Sequence, residues 1–257
     1  MRRSRFPMLM TMGVLIFFYL PILMLVIYSF NASRFGGQWM GFTFAWYEQL
    51  LHHYEIWSSL EKTLIIALTA TAVSIVMGTL AAFALHQYKG WLQNVHFALV
   101  YAPLVVPEVL MGMSLLLFFV SIGMKLGLFT IFLAHVMFCI SYVTMVVLSR
   151  LQDFDFGLIE AAQDLGASRW EATRRVLLPL LMPGIAAGGL LAFTLSIDDF
   201  VISFFVAGPG STTLPIRIYS MIKHGSPTLI NALSTILLLV TFVLVWLSQR
   251  LTEERHR

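Results

Sequence analysis

Three carboxylates stand inside long apolar runs of this chain. Glu108 lies in Phe97–Ile122, and Asp198 and Asp199 lie in Gly184–Ala207. If these runs cross a bilayer, each ionised acid costs at least about 2.5 kcal/mol on insertion scales and must face a water-filled path or a partner group. No Lys or Arg falls inside any of the long apolar windows to neutralise them. An acidic path without basic partners suits a cationic passenger. Adjacent Asp198 and Asp199 would point about 100° apart on a helix, so one can face the path while the other bonds a neighbouring helix or a partner's Arg. Ser196 can accept a hydrogen bond from a cation or bond back to its own helix. Glu108, beside Pro107, can line the path or sit protonated and structural, because burial disfavours the charged form. Trp46 and Tyr47 can cap a cation through their ring faces or anchor the chain at headgroup level. His135, on an otherwise apolar run, is expected to be a satisfied interhelical hydrogen-bonder rather than a ligand.

Other chemistry finds no support in the sequence. There is no H-E-x-x-H and no Ser/His/Asp grouping at one depth, so no catalytic or metal site is expected. The single Cys139 allows no disulfide within the chain. Neither G-x-x-x-x-G-K-[ST] nor G-x-G-x-x-G after a strand occurs, so no nucleotide or other cofactor is expected.

The elements that must carry these acids follow from composition. Of 257 residues, 59% are hydrophobic and 11% charged, with a mean hydropathy of +0.85, too little polar surface to coat a soluble globule. Crossing about 30 Å of hydrocarbon takes roughly 20 apolar residues. Six windows qualify: 8–28, 63–85, 97–122, 127–148, 184–207 and 228–248. The expectation is an all-α, polytopic membrane protein of six transmembrane helices, one permease domain over 1–257. Glu108 would then lie about 17 Å into the third span at 1.5 Å per residue, near the midplane. With both termini cytoplasmic, eleven Lys and Arg fall inside and five outside, the favoured bias. The net charge of +3 then reflects topology, with no nucleic-acid partner implied. The basic start and first apolar run are expected to be a retained span rather than a cleaved signal.

One polar segment interrupts this pattern. "EAAQDLGASRWEATRRVLLP", Glu160–Pro179, would lie in the cytoplasm between the fourth and fifth spans. Its signals are two short helices over about 157–178. The first ends at Gly166, suited to a left-handed cap. The second starts with the Ser168–Glu171 capping box and is expected to be ended by Pro179 and Pro183.

Glu160-Ala161-Ala162, Gly166 and Val176-x-Leu178-Pro179 resemble the E-A-A-x-x-x-G-x9-I-x-L-P signature of ABC importer permeases, with Val in place of Ile. The resemblance implies the type I importer permease fold with N- and C-termini cytoplasmic. It makes the helix pair a coupling surface for a cytoplasmic ATPase dimer, with Glu160 a polar contact, Leu165 an apolar contact and Gly166 the turn. "FTLSIDDFVISFFVAGPGSTTLPIRIYSMI" and "YLPILMLVIYSFNASRF" further resemble permeases of spermidine/putrescine importers. That implies a non-enzymatic subunit in a bacterial inner membrane, working with a homologous second permease and an extracytoplasmic substrate-binding protein. Its passenger would be a polyamine, a di- or tri-ammonium ion that suits the acidic path. Permeases for amino acids, opines, metals or phosphonates share parts of the pattern. An ion-coupled secondary transporter would leave the polar segment unexplained, and no inverted repeat supports it.

Overall fold

The computed structural model describes residues 6–34, 37–223, 225 and 227–255. The expected inside charges Arg2, Arg3, Arg5 and Arg257 lie outside them. Twelve helices are described in chain order. They are α1 Phe6–Tyr28, α2 Ala45–Leu51, α3 Tyr54–Gln87, α4 Trp91–Val105, α5 Glu108–Ser121 and α6 Leu128–Gln152. There follow α7 Gly157–Asp164, α8 Arg169–Ala172, a π turn at Thr173–Leu177, α9 Leu178–Asp198, α10 Val201–Val206, α11 Leu214–Lys223 and α12 Pro227–Arg255. Strand pairing among the described residues is limited to an isolated bridge, Asn31 to Phe42. Four stretches are long and apolar enough to cross a membrane, and α4 with α5 makes a fifth if the bent pair is one span. In α12 the apolar part is Pro227–Val243.

The chain forms two compact units, 1–57 with 217–257 and 58–216. In the first, α1 and α12 pack together, and α12 also meets α2. The loop after α1 is organised by Asn31. Its amide donates to Gln38 O at 2.8 Å, and its side-chain oxygen accepts from Met40 N at 2.9 Å and Ser33 N at 3.2 Å. Thr228 Oγ1 donates to Ser33 O at 2.6 Å, tying the start of α12 to this loop.

In the second unit α6 is central, packing on α9, α4, α10 and α5. Ile131, Ala134, Cys139, Val143, Val147 and Leu151 are fully buried on it. Lipid is as apolar as these side chains, so close packing and interhelical hydrogen bonds must hold such helices together. Glycines supply the approach. A Cβ at Gly78 of α3 would lie 2.7 Å from Val143 Cβ, and one at Gly188 of α9 would lie 3.3 Å from Val143 Cα. The tightest place is Gly208, just past α10, where a Cβ would meet the Leu126 carbonyl oxygen at 1.9 Å. That neighbour is backbone and cannot rotate aside. Gly208→Ala is therefore expected to cost about 1–3 kcal/mol of stability by overpacking, read as a lower Tm in detergent, with Gly13→Ala of α1 as a comparison where space is open.

Two expected spans are broken. Residues 97–122 form α4 and α5, bent by 113°. Val106 precedes Pro107, and the proline ring drives it out of the helical region to φ −69°, ψ 129°, which stops α4 at Val105. Glu108 consequently stands in the first turn of α5 and is exposed, not deep inside a straight span. Residues 184–207 are likewise divided, because Asp199 is extended at φ −62°, ψ 119° between α9 and α10. The adjacent acids thus flank a break instead of sharing one helical surface. A third difference lies at Pro179 and Pro183, which do not end the preceding helix. Arg169–Asp198 runs on as one 30-residue stretch. The π turn at Thr173–Leu177 widens the backbone just before Pro179, relieving the clash that a proline ring makes with the carbonyl four residues earlier.

Candidate functional site

The acids converge at a cavity of about 270 Å³ in the second unit. Glu108 comes from the first turn of α5, Tyr142 from α6, Thr194 and Asp198 from α9, and Asp199 from the break, with Phe200 beside it. Asp198 is exposed at the last residue of α9, and neither its side chain nor that of Glu108 makes a hydrogen bond or ion pair among the described residues. Helix geometry treats the two differently. Glu108 at a helix N-terminus is favoured by the positive end of the backbone dipole, while Asp198 at a C-terminus meets the negative end. A cation between them would neutralise the disfavoured carboxylate.

Asp199 is spoken for. Its Oδ1 accepts from Ile202 N at 3.2 Å and its Oδ2 from Ser203 N at 2.8 Å, so the carboxylate caps α10. Oδ2 also lies 3.3 Å from His135 Nε2. His135 Nδ1 is 2.7 Å from Ser196 Oγ, and Nε2 is 2.9 Å from Ser203 Oγ. Ser196 and Ser203 are buried, and Ser196 bonds across to α6 instead of back along its own helix. His135 is an interhelical hydrogen-bonder, as expected, but it gathers a Ser/His/Asp grouping that the sequence did not reveal, because its members come from three separate elements. Ser203 was missed from the sequence, and its signal was the spacing: a residue four after Asp199 can pair its backbone N–H with that carboxylate. Two further bonds join α6 to these elements, Thr130 Oγ1 to Val206 O at 2.8 Å and Cys139 Sγ to Ala192 O at 3.5 Å.

Trp46 lies in the other unit. It is half-buried, and its Nε1 donates to Asn31 O at 2.8 Å, next to a cluster of Phe30, Phe42, Phe44 and Tyr47. Its indole N–H is thereby committed to the loop that Asn31 organises.

The segment 157–178 is geometrically distinct. Helix α7 ends in paired bonds, Gly166 N to Gln163 O at 2.9 Å and Ala167 N to Ala162 O at 3.0 Å, with Gly166 left-handed at φ +91°. The capping box opens α8: Glu171 Oε2 accepts from Ser168 N at 3.0 Å, and Glu171 N donates to Ser168 Oγ at 3.3 Å. The bond from Ser168 N–H, with help from its hydroxyl, holds the Glu171 carboxyl below its ordinary range. A depressed carboxyl stabilises the fold above its unfolded value and loses that contribution as pH falls through the lowered one, so the cap is complete at neutral pH. Glu160, Ala161, Gly166 and Pro179 are exposed and Ala162 is half-buried. Leu165 is 90% exposed and Trp170 68%, and with Leu158 they leave three large apolar side chains uncovered on a polar segment. Trp170 was not singled out from the sequence, because its neighbours read as a charged helix.

A family model described as "Binding-protein-dependent transport system inner membrane component" matches residues 74–253. The chain belongs to this family. It is accordingly a transport component of the membrane, not an enzyme. It is 39% identical over 241 residues to the spermidine/putrescine transport system permease protein PotC of Escherichia coli (strain K12), covering 94% of this chain and 91% of that protein. It is 42% identical over 252 residues to the putrescine transport system permease protein PotI of the same organism, covering 94% and 90%. The fold matches a chain of a bacterial ABC transporter involved in import of the acidic polysaccharide alginate, with a TM-score of 0.73 at 15% identity over 97% of this chain and 98% of that one. It also matches the MetNI methionine ABC transporter, with a TM-score of 0.61 at 18% identity over 81% and 97%. The permease resemblance of the polar segment and the all-helical fold agree with these matches.

Proposed function

We propose that this permease carries polyamines across a bacterial inner membrane and forms half of an ATP-driven pore. The observation that carries the reading is the pair of unpartnered carboxylates, Glu108 and Asp198, at one cavity with no basic residue in its lining. A linear di-ammonium ion offers a charge to each acid, and the Tyr142 hydroxyl adds an acceptor. An amino acid zwitterion or an anion would bring a carboxylate or phosphonate into that same field. Ser196 and Asp199 serve the site from behind by shaping its wall. Trp46 acts as an anchor of the outer loop.

Six spans with both termini cytoplasmic fit the sequence, with α4–α5 as the third, α9–α10 as the fifth and α12 as the sixth. The segment of α7 and α8 is then a coupling surface for a cytoplasmic ATPase dimer. Leu165 and Trp170 are its apolar contacts, Glu160 a polar one, and Ala161, Ala162 and Pro179 keep the helices close and correctly directed. A homologous second permease closes the other wall of the path, since acids at a helix end need enclosure away from lipid. An extracytoplasmic binding protein delivers the passenger. ATP-driven closure can move the pore only if the ATPase binds its two states with different affinity.

The test is uptake of labelled putrescine and spermidine into proteoliposomes holding the chain with or without candidate partners. Uptake is expected only with the second permease, the ATPase and ATP, and excess amino acid should not compete. Uptake by the isolated chain on an ion gradient, indifferent to ATP, would overturn the reading in favour of a secondary transporter.

A further inference from the structure

We propose that His135 is a positioning residue of the translocation site: it locks the break between α9 and α10 and so holds Asp198 toward the cavity it shares with Glu108. This rests on the polyamine reading above. The imidazole is 1% exposed and is the meeting point of three elements. Nδ1 reaches Ser196 in the last turn of α9 at 2.7 Å, and Nε2 reaches Ser203 of α10 at 2.9 Å and Asp199 of the break at 3.3 Å.

The network assigns its own protons. Asp199 Oδ1 accepts from Ile202 N and Oδ2 from Ser203 N, and Oδ2 lies 3.3 Å from ring Nε2. In the tautomer with its hydrogen on Nε2, the ring donates to the Ser203 hydroxyl oxygen beside that carboxylate, and Nδ1 accepts from the Ser196 hydroxyl. The Ser203 hydrogen is then free to turn toward Asp199.

The consequence for Asp198 is directional. Asp199 is extended because its carboxylate is needed as the α10 cap and as the acceptor beside the ring. Were Asp199 helical, α9 would run on, and Asp198 would sit inside a helix wall instead of at its end. The ring keeps that alternative from forming by holding Ser196 and Ser203, one on each side of the break, to a single rigid plane on α6. A lone apolar contact could hold the helices together, but it could not specify the turn between them. Buried polar groups at membrane depth are expensive, and a closed network of four is hard to account for as packing alone.

The experiment uses the full importer in proteoliposomes and compares wild type with His135→Ala, His135→Asn, Ser203→Ala, Asp198→Asn and the His135→Ala/Asp198→Asn double variant. Co-purification with the ATPase reports assembly. His135→Ala is expected to raise the KM for putrescine by about tenfold and to change the maximal rate less. His135→Asn, whose amide can bond two partners, is expected to recover part of that loss. In the Asp198→Asn background the same change should add less than about twofold, because residues acting through one another are not additive. Should His135→Ala fail to assemble, His135→Asn and Ser203→Ala carry the same KM comparison. Wild-type KM in the assembled His135 and Ser203 variants, or an effect that multiplies in full on Asp198→Asn, overturns the proposal. If instead Asp198→Asn itself leaves KM unchanged, the polyamine pathway fails first. The two failures are therefore distinct.

Discussion

Asp198→Asn is expected to raise the KM for polyamine uptake about tenfold or more, with expression unchanged or improved. The side chain keeps its size and loses only its charge. A hydrogen bond to a charged group contributes about 1.5–3 kcal/mol, and the lower figure already corresponds to about a tenfold change in affinity. The Asp198 side chain makes no hydrogen bond or ion pair among the described residues, so its amide replacement orphans none of them. Glu108→Gln should weaken uptake in the same sense, though less, since the helix N-terminus beside it also attracts anions and already offsets part of the charge felt by a cation. Asp199→Asn is a different kind of variant, because its carboxylate holds α10 and the ring, and it should reduce assembly as well as uptake. Uptake at limiting putrescine measures all three against protein recovered from the membrane. Wild-type rates in both Asp198→Asn and Glu108→Gln would remove the cation path.

The second large effect belongs to Gly166→Val. At φ +91° this residue is in a region that a β-branched side chain resists, yet among the described residues, its own chain neighbours aside, nothing lies within 4 Å of where a Cβ would stand. Any loss is therefore a loss of backbone shape, or of fit to a partner, and not of internal packing. The left-handed position costs a Cβ-bearing residue about 1–2 kcal/mol, and the alternative is to unwind the paired bonds that end α7. ATP-driven uptake is expected to fall at least about tenfold while insertion and Tm of the membrane core stay as in wild type. Gly166→Asn is the control, since Asn tolerates the left-handed region and should keep a larger part of the activity. Unchanged uptake in Gly166→Val would show that this turn does not transmit the ATPase cycle.

Much of this was legible in the sequence for local reasons. The Gly166 turn and the Ser168–Glu171 box are set by residues at most five apart, so their types alone specify the backbone. The apolar runs of α1, α3 and α6 needed only counting. The break after Val105 had a local cause in Pro107, but hydropathy averages over it and reports one span. The break at Asp199 had no such marker, with neither Gly nor Pro between Thr194 and Ala207. It exists because a ring on α6 and a serine beyond the break satisfy that carboxylate, and contacts over a sequence separation of 61 and 68 residues leave no local trace. The same separation hid that Ser196 bonds the ring on α6 and is absent from the lining of the cavity. The continuation through Pro179 was equally illegible, because a π turn is a response to packing and not a propensity of "TRRVL".

The bend at Val106–Pro107 also bears on how the chain is made. Helix α4 has 15 residues and α5 has 14, so each is only about 21–23 Å long and neither alone crosses the hydrocarbon. A translocon that sorts segments by greasiness meets residues 97–122 as one stretch and has cause to insert them together. What α5 packs on in the finished molecule includes α10, which begins only at Val201 and leaves the ribosome much later. The break itself is local to Pro107, but the packing of α5 on α10, and with it the placement of Glu108 beside Asp198, can form only once α10 has emerged. Nascent chains halted after α6 should hold Glu108 out of reach of aqueous labels, and those extended past Val206 should release it.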